Sequence, residues 1–518
     1  MYAALHARFG KSLWLIGAVG VIVLVLGAVV ILRLRGGFSS YAGQRLVLVL
    51  KERFESEIEL KSFQLSVFPR VSASGEGLVF RHKGRTDVPP LICVKRFSAE
   101  TNLWGLLGVT KRIRSVRLEG LQINVPPREH KPEEGSESKK RPVPLFVIDK
   151  IDADGTLLKI LPKEVGKLPL EFNISKLTLN SAGRDVAMSF RATLTNPKPP
   201  GLIQSTGKFG PWERDDPGLT PVSGSYTFDD ANLSVFQGIA GVLSSRGKYQ
   251  GVLAKIEVEG QTDTPDFVVT TAGTPVHLKT EFKAVVDGTN GDTSLEPVNA
   301  HIASSSVLAY GGVIGAPGVK GKTVSLNVTV SEARLQDLLC LAVRSDQPPM
   351  TGIVNFKTRF RLPPGEQDII DRLYLSGEFG VGTARFSSFE VQEKVETLSR
   401  RGKGQTEDEA GPSVVSNLRG GFVLKNGTIT FSKLSFGVPG ALVQLSGTYG
   451  LRNEDFDLRG TLKLDAKLSQ TTTGIKSFLL KAIDPLFKKK DAGAVIPIKV
   501  TGTRSQPSFG LDVAKVVL

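Results

Sequence analysis

The sequence predicts a mainly β protein, and three observations carry that prediction. Apolar and polar residues alternate with a period of two through most of the chain after residue 56, the pattern of half-buried strands. Glycine is abundant, at 55 of 518 residues, and aromatic residues make up only 7%, which suits many short strands joined by tight turns. Stretches at helical spacing are few.

The elements follow in chain order. Leu13–Leu32, LWLIGAVGVIVLVLGAVVIL, holds 20 residues without a charge. At about 1.5 Å per residue it spans a hydrocarbon core of about 30 Å. No small-x-small cleavage site follows it, so it is expected to remain as a single-pass anchor. Arg8 and Lys11 on one side nearly balance Arg33 and Arg35 on the other. Because long domains translocate largely regardless of charge, residues 1–12 are expected to form a cytoplasmic tail and the body to be exported.

An N-terminal region over 39–125 begins with SSYAGQRLVLVLKERFES, a short helix with Leu46, Val47, Leu50 and Phe54 on one side. From Glu57 the period turns to two. EIELKSFQLSVFPRVSASGEGLVF alternates Ile58, Leu60, then Phe63, Leu65 and Val67, and RSVRLEGLQINV continues with Val116, Leu118, Leu121, Ile123 and Val125. Residues 126–145, opening PPREHKPEEGSESKKRPVP, are charged and proline-rich and read as a disordered linker.

A middle region over 146–401 returns to strands. LEFNISKLTLN alternates Leu170, Phe172, Ile174, then Leu177 and Leu179; DVAMSFRATL alternates Val186, Met188, Phe190, Ala192 and Leu194. Two helical interruptions are predicted in it. ANLSVFQGIAGVLSS spaces Leu233, Phe236, Ala240 and Leu243, and SEARLQDLLCLAV spaces Leu335, Leu338, Leu339 and Ala342. A charged, glycine-rich loop at 402–413 leads to a C-terminal region over 414–518. There Asn426-Gly427 sits between alternating runs, the strongest short-range hairpin signal. Near the end, GIKSFLLKAIDPLFKKK sets Ile475, Phe478, Leu479, Ala482, Ile483, Leu486 and Phe487 on one stripe. It predicts an amphipathic helix over 475–490 that bends where Asp484 caps a second piece and Pro485 takes its first position.

Composition and motifs narrow the function. The net charge of +15 is spread along the chain, without a helix-turn-helix pattern or an interleaved aromatic–basic platform, so an anionic membrane is a better expected partner than nucleic acid. Cys93 and Cys340 lie in apolar runs and read as structural thiols. The five histidines (His6, His82, His130, His277 and His301) have no close ligand at metal spacing, so no metal or cofactor is expected. APGVKGKTVSLNV has Ala316 where a P-loop needs glycine and runs into a strand; it reads as a turn. DGTNGDTSLE misses the EF-hand spacing and reads as a hairpin turn, and Ser245-x-x-Lys248 lacks the companion motifs of serine enzymes. No catalytic constellation emerges.

The alternation leaves one aliphatic face per strand and too few helices to cover it. That face must pack against another sheet, curl on itself, or bind something apolar.

The order of these segments resembles the bacterial AsmA family. The features are the N-terminal anchor followed by EIELKSFQLSVFPRVSASGEGLVF, then FSAETNLWGLLGVTKRIRSVRLEGLQINV, with GKYQGVLAKIEVEGQTDTPDF and GFVLKNGTITFSKLSFGVPGALVQLSGTYGL further along. The resemblance implies an inner-membrane-anchored periplasmic protein built as an elongated, twisted antiparallel β-sheet curled into an open apolar groove, related to bridge-like lipid-transfer proteins. It implies phospholipid transport or homeostasis between inner and outer membranes, and no catalytic residues. About 25 strands at about 4.8 Å spacing would make a groove of roughly 120 Å.

On this reading the expected lining is Phe63, Leu65, Phe172, Ile174, Met188, Phe190, Phe431, Leu462 and Leu464. The stripe of Phe478, Leu479, Ile483, Leu486 and Phe487 either plugs the end of the β-core or closes the groove's distal mouth, with Lys488, Lys489 and Lys490 toward anionic headgroups or a partner. The expected partners are phospholipids, the inner membrane through residues 13–32, and other envelope proteins, with no nucleic acid. The alternative function is an assembly factor for outer-membrane components that pairs its strand edges with client strands.

Overall fold

The computed structural model describes residues 56–66, 70–82, 89–102, 111–125, 146–160, 170–183, 187–211, 217–271, 273–345, 347–403, 415–465 and 495–512. The expected membrane span at 13–32, the expected helix at 39–56 apart from Ser56, which opens a strand, the linker at 126–145 and the helix at 475–490 lie outside these residues. Among the described residues no helix is long and apolar enough to cross a membrane.

The described chain is mainly β, with 26 strands and three short α-helices. It divides into two compact units, one taking residues up to 231 with 244–260 and 284–293, the other taking 232–243, 261–283 and 294 onward.

In the first unit, β1 (Ser56–Glu59) and β2 (Ser62–Ser66) both pair antiparallel with β3 (Val71–His82), Ile58 opposite Phe80 and Phe63 opposite Gly75. β3 pairs with β4 (Ile92–Thr101), and β4 takes β5 (Lys111–Glu119) and β6 (Gln122–Val125) along its other edge. β7 (Phe146–Ile160) then lies parallel to both, Val116 opposite Ile151 and Ile123 opposite Leu158.

This is a departure from the antiparallel sheet expected throughout. A parallel partner requires the chain to travel back along the strand before pairing, which a tight turn cannot do. Here Val125 stands opposite Ile160 and Lys111 opposite Phe146, so the return covers about 46 Å at about 3.3 Å per residue. The segment 126–145 is long enough for that journey at an extended reach of about 3.3 Å per residue. From β7 the ladder is antiparallel again through β8 (Leu170–Gly183), β9 (Met188–Pro197), β10 (Pro200–Phe209) and β11 (Pro221–Asn232).

The predicted helix over 231–245 is not formed. Leu233–Val235 makes a single 3-10 turn, capped by Asn232 Oδ1 accepting from the Ser234 amide at 2.9 Å, and Val242–Val252 is strand β13, after the two-residue β12 (Ile239–Ala240). Gly238 and Gly241 adopt φ of 99° and 134°, outside the helical region, so the apolar spacing had no continuous helix to sit on.

Strands β14 (Lys255–Val269), β15 (Val276–Val286) and β16 (Thr293–Ile302) follow, and from β17 the second unit is a meander in which consecutive strands pair antiparallel: β17 (Ser305–Gly315), β18 (Lys322–Arg334), β19 (Met350–Leu362), β20 (Tyr374–Phe386), β21 (Val415–Lys425), β22 (Thr428–Val438), β23 (Ala441–Gly450), β24 (Asp455–Leu464), β25 (Val495–Thr503) and β26 (Pro507–Leu511). The Asn426-Gly427 hairpin forms as predicted, with φ of 51° and 70° and Lys425 opposite Thr428. The predicted helix at Leu335 is α1 (Leu335–Leu339), whose Asp337 is buried and accepts from Ser305 Oγ at 2.8 Å and the Ser304 amide at 3.2 Å. A four-residue helix, α2 (Ile369–Arg372), precedes β20.

A longer helix, α3 (Phe389–Lys403), lies between β20 and β21 and packs on β20 and β22 to β24. Glu393 near its start and Arg400 and Lys403 in its last turn complement the helix dipole.

Candidate functional site

The strand alternation produces two different environments on the apolar face. In the first unit, side chains of β1 to β7 and β9 converge on one buried cluster, in which Phe80, Ile113 and Leu118 have no solvent exposure. In the second unit, α3 brings Val395 and Leu398 onto Val381, Val415, Val438, Ala441 and Leu464, and Ser399 Oγ donates to the Pro439 carbonyl at 2.9 Å. Val443, Leu445 and Leu458 form a further buried cluster beside it.

Outside its buried cluster the first unit carries apolar residues that are only half-buried. Strand register assembles them into rows. Ile174 stands opposite Leu194, Leu194 opposite Ile203, and Ile203 opposite Phe228; beside that row, Leu179 stands opposite Phe190 and Phe190 opposite Gly207. Ile174, Phe190, Leu194, Ile203 and Phe228 are all partly exposed and belong to none of the buried clusters. These rows border the core: Met188 and Ala192, on the same face of β9 as Phe190 and Leu194, are buried, and Leu179 packs against the first cluster, whereas Ile174, Leu194, Ile203 and Phe228 keep part of their surface in solvent.

A band of hydroxyls crosses these rows. Ser205 Oγ and the Tyr249 hydroxyl of β13 share a hydrogen bond at 2.8 Å, and the Tyr226 hydroxyl and Ser245 Oγ share one at 3.2 Å. The rings lie over glycines: a Cβ placed at Gly247 would meet Tyr226 Cε1 at 2.8 Å, and one at Gly224 would meet the Tyr249 hydroxyl at 2.6 Å. Only glycine lets a ring lie this flat on a neighbouring strand. Burial pushes both tyrosine hydroxyls above their ordinary value, partly offset by the hydrogen bonds from Ser245 and Ser205, so both are neutral and uncharged at physiological pH.

The expected lining residues fall into both environments. Phe172, Ile174 and Phe190 lie on the half-open face. Leu65 and Met188 are buried in the first unit's core, with Phe63 packed against it; Leu464 is buried under α3, and Phe431 and Leu462 pack against the third cluster. Phe478, Leu479, Ile483, Leu486, Phe487 and Lys488 to Lys490 lie outside the described residues.

Two features went unread in the sequence. The tyrosine–glycine band was signalled by a repeated Gly-x-Tyr, Gly224-Ser225-Tyr226 and Gly247-Lys248-Tyr249, which sets glycine and tyrosine on one face of each strand. α3 was signalled by Val391, Val395 and Leu398 at helical spacing behind Ser387-Ser388.

Among the described residues no group of three or more His, Cys, Asp and Glu is placed to hold a metal ion. His277 Nε2 meets Asp263 Oδ1 at 2.7 Å on an exposed surface, and His301 Nδ1 meets Ser306 Oγ at 3.1 Å. Both cysteines are free; burial raises the Cys93 thiol above its ordinary value, and Cys340 Sγ donates to the Gln336 carbonyl at 3.3 Å. The chain matches no protein-family model, no curated protein and no solved structure.

Proposed function

We propose that this protein is a non-catalytic lipid binder: phospholipid acyl chains lie against the half-open apolar face of β8 to β11, and the protein supports lipid movement or homeostasis between the membranes of a cell envelope. The observation that carries this is the row Ile174–Leu194–Ile203–Phe228 with Phe190 beside it, partly exposed and outside the buried clusters. Fully burying such a side chain from an exposed state is worth about 1.5–3 kcal/mol, so covering the part each still shows to solvent returns on the order of 0.5–1 kcal/mol per residue, summed along the rows. A chain anchored at 13–32 would hold this face beside the membrane that supplies the lipid. The order of its segments, similar to the AsmA family, supports the same role.

Site-specific photo-crosslinking of the full chain tests it. Phe190→p-benzoylphenylalanine should yield an adduct heavier by one phospholipid, while the same replacement at the outward Arg191 should not. Equal labelling at both positions, or adducts only with proteins, would overturn the proposal; the second result would favour the assembly-factor reading.

A further inference from the structure

The outward face of the second unit carries a charge pattern that the lipid-binding face does not explain. Strand β19 reads Phe356-Lys357-Thr358-Arg359-Phe360-Arg361, so one face takes the phenylalanines and the other takes three exposed cations in succession. Register extends the pattern across neighbouring strands. Arg361 stands opposite Tyr374, and Tyr374 precedes Leu375, whose partner Leu424 precedes Lys425; both Tyr374 and Lys425 are exposed on this face. Lys357 stands opposite Glu378, Glu378 opposite Gly421, and Gly421 opposite Lys433. One row further, Asn355 leads through Gly380 to Arg419. Six cations thus share the surface of β19 to β22 with one carboxylate, Glu378, over about 20 Å along the strands and about 14 Å across them, and Glu332 of β18, whose amide donates to Asn355 Oδ1 at 3.1 Å, borders it.

Several outward cations elsewhere are paired. Arg96 pairs with Glu119 at 3.0 Å, Arg112 with Asp149 at 3.0 Å and Lys150 with Asp152 at 2.7 Å. Among the described residues Lys357, Arg359 and Arg361 take part in none of the ion pairs. Placing like charges at successive outward positions leaves a repulsion that an anionic partner relieves.

We infer that this face of β19 to β22 docks on an anionic phospholipid bilayer. Charge complementarity selects an anionic partner, and the apolar residues within the patch select the bilayer over nucleic acid. Ile353, 48% exposed, and Val423, 37% exposed, lie among the cations, and Tyr374 is 39% exposed beside Arg361. A headgroup layer accommodates such side chains at its boundary with the acyl region, with tyrosine at the interface and long cationic stems reaching phosphates. A phosphate backbone would leave Ile353 and Val423 without a partner. The surface is independent of the apolar face on which acyl chains are proposed to lie.

The full chain, held in nanodiscs of phosphatidylcholine alone, should capture separate vesicles containing 30% phosphatidylglycerol and leave pure phosphatidylcholine vesicles in solution. Each cation near such a surface strengthens binding roughly fivefold, so Lys357→Gln with Arg359→Gln and Arg361→Gln should weaken capture by about a hundredfold. Glu378→Gln should strengthen it severalfold, a gain that damage to folding cannot mimic. Equal capture of neutral and anionic vesicles, capture unchanged in the triple variant, or capture abolished by duplex DNA at equal phosphate would overturn the inference. An unchanged phospholipid adduct at position 190 in the triple variant would separate this surface from the acyl-binding face.

Discussion

Phe80 and Phe190 occupy equivalent places in the alternation of their strands, yet the protein treats them differently. Phe80 has no exposed surface and sits among Ile58, Ile92 and Ile113 in the first unit's core, whereas Phe190, at the border of that core beside Met188 and Leu179, belongs to no buried cluster and keeps part of its ring in solvent. The pattern that puts a residue on the apolar face is the same in both. What differs is whether anything lies over that face, and this decides whether an aromatic side chain holds the fold together or remains available to a ligand.

Paired substitutions sharpen that contrast most. Phe80→Ala removes a fully buried ring and should lower stability by about 3–5 kcal/mol, seen as a shifted urea midpoint. Phe190→Ala should lower it less, by about 1–2 kcal/mol, because its ring belongs to no buried cluster and keeps part of its surface in water. Similar losses at both positions would mean that the β8–β11 face is packed in solution and would break the distinction.

The covered end of the second unit offers the next test. Leu398 on α3 packs against both buried clusters there, so Leu398→Ala should cost about 2 kcal/mol in the same assay. A negligible change would show that α3 does not cover that face.

The sequence made the strands legible because period-two alternation survives almost any arrangement of neighbours, and Asn426-Gly427 fixed a turn by local backbone chemistry alone. It was less informative wherever partners are distant. Leu65, Met188 and Phe172 carry the same alternation, and nothing local distinguishes the two that are buried from the one that is not. The parallel pairing of β7 depends on how the chain returns after residue 125, which no residue pattern encodes. At 231–245, apolar spacing suggested a helix, and the backbone of Gly238 and Gly241 overrode it. The α3 helix was readable from its own periodicity, but the charged tail of its sequence drew attention to the loop instead.

The smallest effect concerns the hydroxyl band, where the half-open face is neither dry core nor free surface. Tyr226→Phe deletes the hydrogen bond to Ser245 and should cost about 1 kcal/mol at neutral pH. The alkaline limb is more diagnostic. Burial holds the Tyr226 and Tyr249 hydroxyls above their ordinary value, so the folded chain releases these protons at higher pH than the unfolded chain. Below about pH 10 both states keep them and their contribution to stability is complete. As pH climbs past about 10 the unfolded chain ionises first, and stability falls until the folded hydroxyls ionise as well. Urea midpoints measured at pH 9 and pH 11 should therefore drop less in Tyr226→Phe than in the unaltered protein. An equal drop in both would place the Tyr226 hydroxyl in water, and with it the face it lies on.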